Sequence, residues 1–436
     1  MFFLPKFSII LYHINMIDLE ILKANKSEII ERLNNRFIID YKELVNKVLN
    51  LEKERKELAK EICDVSRGIN LLNEDIFGLK KDNKDASELI NYLKERKKYL
   101  NECEIKLKSI ELDIKNTLSN IPNIPNKGVP IGSNSKDNVV VYQTEINEKL
   151  IKKPHYELIK EFDIIDFDLG VKLTGAGFPV YKGKGAKLQR ALVNFFLDEV
   201  TDSGFVEHEI PIVLNEDSFF ATGQLPDKEN QMYKVDDNFF LIPTAEVPLT
   251  NLYRNVIVEE KSLPIKLTGY SPCFRREAGS WGKDVRGLNR LHQFDKVEIV
   301  QIVKPEESYY TLETMRIVVE RIVKKLELPY RVLKLCTGDL GFNSAFTYDI
   351  EVYSVGQDKW LEVSSISNFE TYQSNRLNLK YRNASGEKIL LHTLNGSALA
   401  LPRILAAILE WNYDGEKIFI PQVLHKYTNF DFIDVK

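Results

Sequence analysis

The 436-residue chain is poor in cysteine: Cys63, Cys103, Cys273 and Cys336 stand far apart, with no C-x-x-C. That spacing excludes a disulfide framework and a cysteine zinc site, and makes a reducing, cytoplasmic compartment the expectation. The six histidines form no H-x-x-x-H pair. No run of about 18 apolar residues exists, so no segment is expected to span a membrane. G-x-G-x-x-G and G-x-x-x-x-G-K-[ST] are both absent, which argues against Rossmann and P-loop nucleotide sites. Sixty basic against sixty-four acidic residues leave a net charge of −4. This excludes a globally basic nucleic-acid binder and leaves local patches open. What is present, 44% hydrophobic and 28% charged residues, is ordinary globular composition and excludes a disordered chain. The length allows about two to four domains.

Met1–Ile14 is apolar but carries a single lysine and no small-residue cleavage site, a signal-peptide mimic rather than an export signal. Residues 1–15 read as an extension or a mis-called start, with Met16 directly before a helical pattern. From Leu44 the apolar residues fall in heptads: Leu44, Val48, Leu51, Leu58, Ile62, Val65, Ile69, Leu72, Ile76 and Leu79, with Arg55 at a seam position. A second run holds Ala86, Leu89, Leu93, Leu100, Cys103, Leu107, Ile110 and Ile114, with Arg96 in the seam. The polar stretch Lys80–Asp85 lies between them, so the spacing predicts an antiparallel coiled-coil hairpin. At 1.5 Å per residue such an arm is about 50 Å long. Two helices make no domain core, so the arm should project from a body. Dimerisation or tethering is the common use of such a coil, and a probe for a large partner is the other. Lys94-Glu-Arg-Lys-Lys98 is a modest basic cluster that fits a solvated face.

Pro122, Pro125, Gly128, Pro130 and Gly132 forbid helix and mark a linker over 121–140. The predicted division is an extension over 1–15, a helical arm over 16–120, the linker, and a body over 141–436. In the body, strand-like stretches such as Asn238–Ile242 and Val297–Gln301 mix with helices without β-α-β alternation, which predicts an α+β body on an antiparallel sheet. The densest chemistry is Pro272–Glu298, where two strand-like ends flank a glycine-rich loop with Arg275, Arg276, Lys283, Arg286 and Arg290. Guanidinium forks match phosphate, so the loop suits a polyphosphate; its composition equally fits a surface hairpin with salt bridges.

Phe274-Arg-Arg-Glu277 resembles motif 2 of class II aminoacyl-tRNA synthetases, and the segment through His292-Gln-Phe-Asp-Lys-Val-Glu298 resembles the seryl-tRNA synthetase version. The resemblance runs from Met16 to the C-terminus. It includes the arm, Thr222-Gly-Gln-Leu-Pro226, Leu241–Thr250, Thr337–Phe342, Glu362-Val-Ser-Ser365 and His392-Thr-Leu-Asn-Gly-Ser397. A motif-1-like helix, Lys187–Phe196, is followed by a strand expected to carry Pro211. The family is the bacterial-like branch, with a class II catalytic domain of antiparallel sheet flanked by helices. Its implied activity is serine–tRNA ligase: L-serine and ATP form seryl-adenylate, and serine passes to the 3′ end of tRNA(Ser), with tRNA(Sec) as a further candidate.

The resemblance also implies roles. Arg275 bridges the ATP α-phosphate and the amino-acid carboxylate. Arg276, Glu277, the backbone near Leu291, and Phe294 stacked under the base belong to the nucleotide site, with Glu362, Val363, Ser364 and Ser365. Glu362 and Ser365 hold Mg²⁺, and Arg403 of motif 3 grips the γ-phosphate. Thr244, Ala245, Glu246, Arg275, Glu298, Asn395 and Ser397 surround serine, with Glu298 facing the α-ammonium and Ser397 at the hydroxyl. A homodimer through motif 1 is implied. The chain departs from the pattern at Ala398 and Pro402 for frequent glycines, Arg276 for a common serine, and Phe346 for a frequent lysine. One rival reading is a synthetase-like paralogue that adenylates an amino acid for a carrier protein; such homologues lack the arm. The other is a non-catalytic coiled-coil adaptor or nucleic-acid binder, against which Arg275, Glu277, Glu362 and Arg403 stand.

Overall fold

The structure, a computed structural model, describes residues 19–146, 148–278 and 286–435. Residues 1–15 and Lys283 of the cationic loop lie outside the described residues. The chain divides into two compact units. The first holds residues through Asn34 together with Ile39–Pro122; the second holds Asn35–Ile38 and Asn123–Lys436.

The first unit is dominated by two long helices, Lys42–Lys81 and Ser87–Leu118, packed on each other as the heptads predict. Val48, Leu58, Ile62, Val65, Ile69 and Ile76 of the first helix are buried, as are Cys103, Leu107, Ile110 and Ile114 of the second. Each such side chain removed from water contributes roughly 1.5–3 kcal/mol, which is what holds a two-helix element together. The seam begins one residue later than expected, because Val45 rather than Leu44 is fully buried. Arg55 is tolerated in the seam because its fork closes on the Glu52 carboxylate at 2.7 and 2.9 Å. At the tip Asn83 takes a left-handed φ of 55°, and Asp85 accepts from the backbone N–H of Ser87 at 2.9 Å. That bond satisfies one of the donors a first helical turn leaves without an intrahelical partner.

The second unit is built on an eight-stranded sheet. In chain order its strands are β1 (Val139–Gln143), β2 (Val206–Glu207), β3 (Ile265–Phe274), β4 (Gln293–Val303), β5 (Tyr330–Lys334), β6 (Phe346–Ser354), β7 (Lys359–Asn368) and β8 (His392–Ala400). They lie in the order β1-β5-β6-β7-β8-β4-β3-β2, all antiparallel except the pairing of β2 with β3. The α+β expectation holds. Alternation along the strands sorts the faces. Val297, Ile299, Ile350 and Ile366 enter the main core with residues of the helices Gly183–Thr201, Ser308–Lys325 and Leu401–Trp411. Registers Glu298 with Ser397, Asn395 with Ser367, Asp349 with Ser365 and Glu351 with Glu362 put a polar row on the opposite face.

Two sequence features land differently from expectation. Pro211 lies between the strands Val206–Glu207 and Val213–Asn215, not within one; without an N–H it cannot feed a ladder. The Pro/Gly-rich stretch is irregular, as its composition dictates, yet it is bonded into the second unit. Asn123 N donates to Phe342 O, Asn126 N to Ala345 O, and Gly338 N to Gly132 O, at 2.8–2.9 Å. Arg36, fully buried, donates to the carbonyls of Asn123, Leu340 and Ser344 in the same unit.

Candidate active site

The ends of β3 and β4 pair from Phe274 with Gln293 inward, so the loop between them springs from a rigid hairpin stem. Arg275 is fixed by its backbone N–H to His292 O at 2.9 Å, and its guanidinium carbon lies 5.3 Å from the centroid of the Phe294 ring. An arginine fork over an aromatic face is a ready pairing for a phosphate beside a planar base. Glu277, at a left-handed φ of 50°, turns the chain out of the stem and accepts from Arg290 Nη1 at 3.0 Å. Arg276 faces elsewhere: it donates to Asn230 Oδ1 at 2.6 Å, on a different loop. His292 is set by Tyr233, whose hydroxyl lies 2.6 Å from Nδ1, and it stacks on Phe178. Gly177 backs this ring at φ +82°, where an added Cβ would sit 2.4 Å from it.

Glu362 and Ser365 are three apart on β7, a spacing that would put them on opposite faces of a regular strand. A bulge between β6 and β7, where Glu362 pairs with Glu351 but Ser364 with Ile350, brings both to the polar face. Asp349 is opposite Ser365. Burial, and then the Glu362 charge, hold its carboxyl well above the usual range, and its Oδ1 is buried without a hydrogen-bond partner. This all-oxygen, electron-rich set is what a hard divalent ion takes. Among the described residues no group of three or more His, Cys, Asp or Glu could hold a metal. An ion at Glu362 and Ser365 would therefore need further oxygens from a ligand. Arg403, in the first turn of the helix Leu401–Trp411 beside Pro402, donates to Glu362 O at 2.6 Å and to Asn289 O at 3.1 Å.

The third station is a buried acid pair. Glu298 bonds Lys296 Nζ at 2.5 Å and accepts from Asn395 Nδ2 at 3.1 Å. Glu246, at the start of the helix Glu246–Asn251, receives Gln373 Nε2 at 2.6 Å. Burial and the charge of Glu298 push the Glu246 carboxyl up to about 7, despite Gln373, Lys296 and Arg275. Thr244 Oγ1 accepts from the Glu246 N–H, and Ser397 stands opposite Glu298 in the register. Ala245, Leu291 and Val363 have side chains in the apolar cores, and Ser364 Oγ is spent on Ser397 O at 2.6 Å. Any part these four take is through backbone.

Several partners carried no sequence signal. Lys296, Asp349 and Gln373 support the stations just described. His155 and Glu410, both fully buried, tie the stem to the helix of Arg403. His155 Nδ1 lies 2.9 Å from Glu410 Oε1, its Nε2 accepts from Leu288 N at 2.9 Å, and Ser354 donates to Glu410 Oε2 at 2.5 Å. Burial raises the Glu410 carboxyl, but the His155 and Ser354 bonds outweigh it and hold it below its ordinary range. Gly287, φ +62°, passes so close that a Cβ would meet His155 Nε2 at 2.3 Å. Phe346, where a lysine is frequent, is buried against Tyr309 and Tyr348, with Lys334 Nζ 5.6 Å from its ring centroid. No helix among the described residues is long and apolar enough to cross a membrane.

The chain is similar to known proteins over most of its length. A seryl-tRNA synthetase N-terminal domain model matches residues 16–125, and a class II tRNA synthetase core domain model (G, H, P, S and T) matches 230–412. The serine–tRNA ligase of Thermodesulfovibrio yellowstonii is 45% identical over 96% of this chain and 100% of its own length. That of Salinibacter ruber is 43% identical over 95% and 98%. The crystal structure of seryl-tRNA synthetase from Pyrococcus horikoshii complexed with ATP superposes with a TM-score of 0.88 at 33% identity, over 96% of this chain and 100% of that one.

Proposed function

The chain belongs to the seryl-tRNA synthetase family, class II serine–tRNA ligases, and on that premise we propose how its residues divide the work. Serine binds with its α-ammonium toward Glu298 and Glu246 and its hydroxyl toward Ser397 and Asn395. ATP lies with its base over Phe294, near Glu277 and the Leu291 backbone, and with its γ-phosphate at Arg403. The serine carboxylate is already ionised and needs no general base. It attacks the α-phosphorus as the bond to pyrophosphate breaks, and Arg275 neutralises both reacting groups. Catalysis is therefore positioning and charge stabilisation. Mg²⁺ at Glu362 and Ser365 would supply further charge neutralisation on the phosphates. The terminal ribose hydroxyl of tRNA(Ser), and of tRNA(Sec) as a second substrate, then attacks the adenylate carbonyl and releases AMP. A site that hydrogen-bonds a hydroxyl rejects alanine because its polar groups would be left unpaired.

The observation that carries this reading is a charge juxtaposition: the Arg275 guanidinium, 5.3 Å from the Phe294 ring centroid, favours ionisation of the buried Glu246, which Glu298 opposes, so a site for an anion lies beside a site for a cation. We further propose that the arm, residues 16–120, engages tRNA through its backbone shape. We also propose that the enzyme is a cytoplasmic homodimer through the helix Gly183–Thr201 and the segment around Pro211, where Val206 and Val213 are exposed. Serine-dependent ATP–pyrophosphate exchange, with alanine and threonine as competitors, tests the reading; exchange that does not prefer serine overturns it.

A further inference from the structure

We infer that Gln373, which touches neither reacting group, is the positioning residue that aims Glu246 at the amino acid and so sets the affinity for serine. The inference rests on the proposed assignment of Glu246 to the serine pocket. Gln373 lies on the short helix Tyr372–Leu377 and is 1% exposed. Its amide orientation is dictated by its neighbours. The carbonyl of Thr222, 3.2 Å away, can only accept, so the group facing it is the NH₂. Thr393 Oγ1 donates to the amide oxygen at 2.7 Å. The NH₂ therefore has one remaining proton, and it is directed at Glu246 Oε1 at 2.6 Å. One carboxylate oxygen is thus fixed, and rotation of the other is arrested.

The electrostatics give this bond its weight. From β4, Glu298 opposes ionisation of Glu246 and Lys296 favours it; from the end of β3, Arg275 favours it; burial opposes it. These leave the carboxyl near neutrality, at about 7, so the Gln373 bond acts on a group poised between its two forms. An ionised Glu246 attracts an ammonium, and a protonated one does not. Without the amide donor the carboxyl rises further, and the ionised fraction falls most on the acid side.

The test uses the full chain. Wild type, Gln373→Met and Thr393→Val are assayed for serine-dependent pyrophosphate exchange from about pH 6 to 9, with KM for serine and for ATP measured separately. Loss of a hydrogen bond to a charged group predicts that Gln373→Met raises KM for serine roughly 10–100-fold. KM for ATP should stay within about twofold, because removal of an amino-acid contact leaves nucleotide binding alone. The acid limb of kcat/KM for serine should move to higher pH. Thr393→Val, which keeps the amide but frees its oxygen, should shift both quantities in the same direction by less, and it carries the test if Gln373→Met does not fold. A merely structural role predicts that both KM values change together, or only the melting temperature, with the acid limb unmoved; either result overturns the inference. Wild type without serine-dependent exchange overturns the active-site reading and this inference with it. Wild-type exchange with unaltered variants overturns this inference alone.

Discussion

Replacing Arg275 by alanine separates chemistry from folding. In the structure its guanidinium rests on Phe294 at 5.3 Å and is partly solvent-accessible. A cation over an aromatic face at such a site contributes about 0.5–1 kcal/mol. At roughly 2–4 °C per kcal/mol, thermal unfolding should shift by only a few degrees. Activity should fall much further. Loss of a preorganised stabiliser of developing charge costs about 10²–10³ in rate. A second effect follows from the Arg275 charge, which helps hold the Glu246 carboxyl down. Without it Glu246 titrates higher, so KM for serine should rise, most steeply below neutral pH. Arg275→Lys keeps the charge but loses the fork, and should fall between wild type and alanine. Pyrophosphate exchange of Arg275→Ala within tenfold of wild type, in a protein with unchanged unfolding, would refute the reasoning. Arg276→Ser is the control: its side chain is bonded to Asn230, and exchange should change little.

Deleting about residues 52 to 112 and joining the stems should leave serine-dependent exchange largely intact while charging of tRNA collapses; efficient charging would show that the arm is a structural coil. In the intact protein, tRNA affinity should fall steeply with salt, as phosphate contacts with counterion release require. Glu362→Gln should raise the Mg²⁺ concentration needed for half-maximal exchange, and an unmoved Mg²⁺ curve would remove Glu362 from the ion site. Glu410→Gln should destabilise the fold by about 1–3 kcal/mol at neutral pH by weakening a buried, fully bonded carboxylate. Because that carboxyl titrates below its ordinary value in the fold, its stabilisation is present above the unfolded value and lost as pH falls through the folded one. Denaturant titrations should therefore show wild type and variant converging in acid.

The heptads made the arm legible because each seam position reports on the same local period, and Arg55 broke that period visibly. The hairpin stem around Arg275 was legible for a related reason, since the residues that build it are contiguous. Glu362 and Ser365 were found only through resemblance: nothing local announces the bulge at Val363 that puts them on one face, because it is a property of pairing with β6. Gln373 and His155 were invisible for the same cause. Each is an isolated residue whose partners, Glu246 and Glu410, lie 127 and 255 positions away. Pro211 was misplaced because a motif match carries a strand label, whereas the missing N–H decides whether the ladder continues there.

The most direct test of the account is charging itself. Purified full-length chain, with ATP, Mg²⁺ and radiolabelled serine, is given a tRNA(Ser) transcript, and acid-precipitable label is counted. The account predicts ATP-dependent attachment of serine to the 3′ end, at an initial rate about 10²–10³-fold lower in Arg275→Ala. Label that appears without ATP, fails to appear with active tRNA present, or forms in Arg275→Ala within tenfold of the wild-type rate would contradict it.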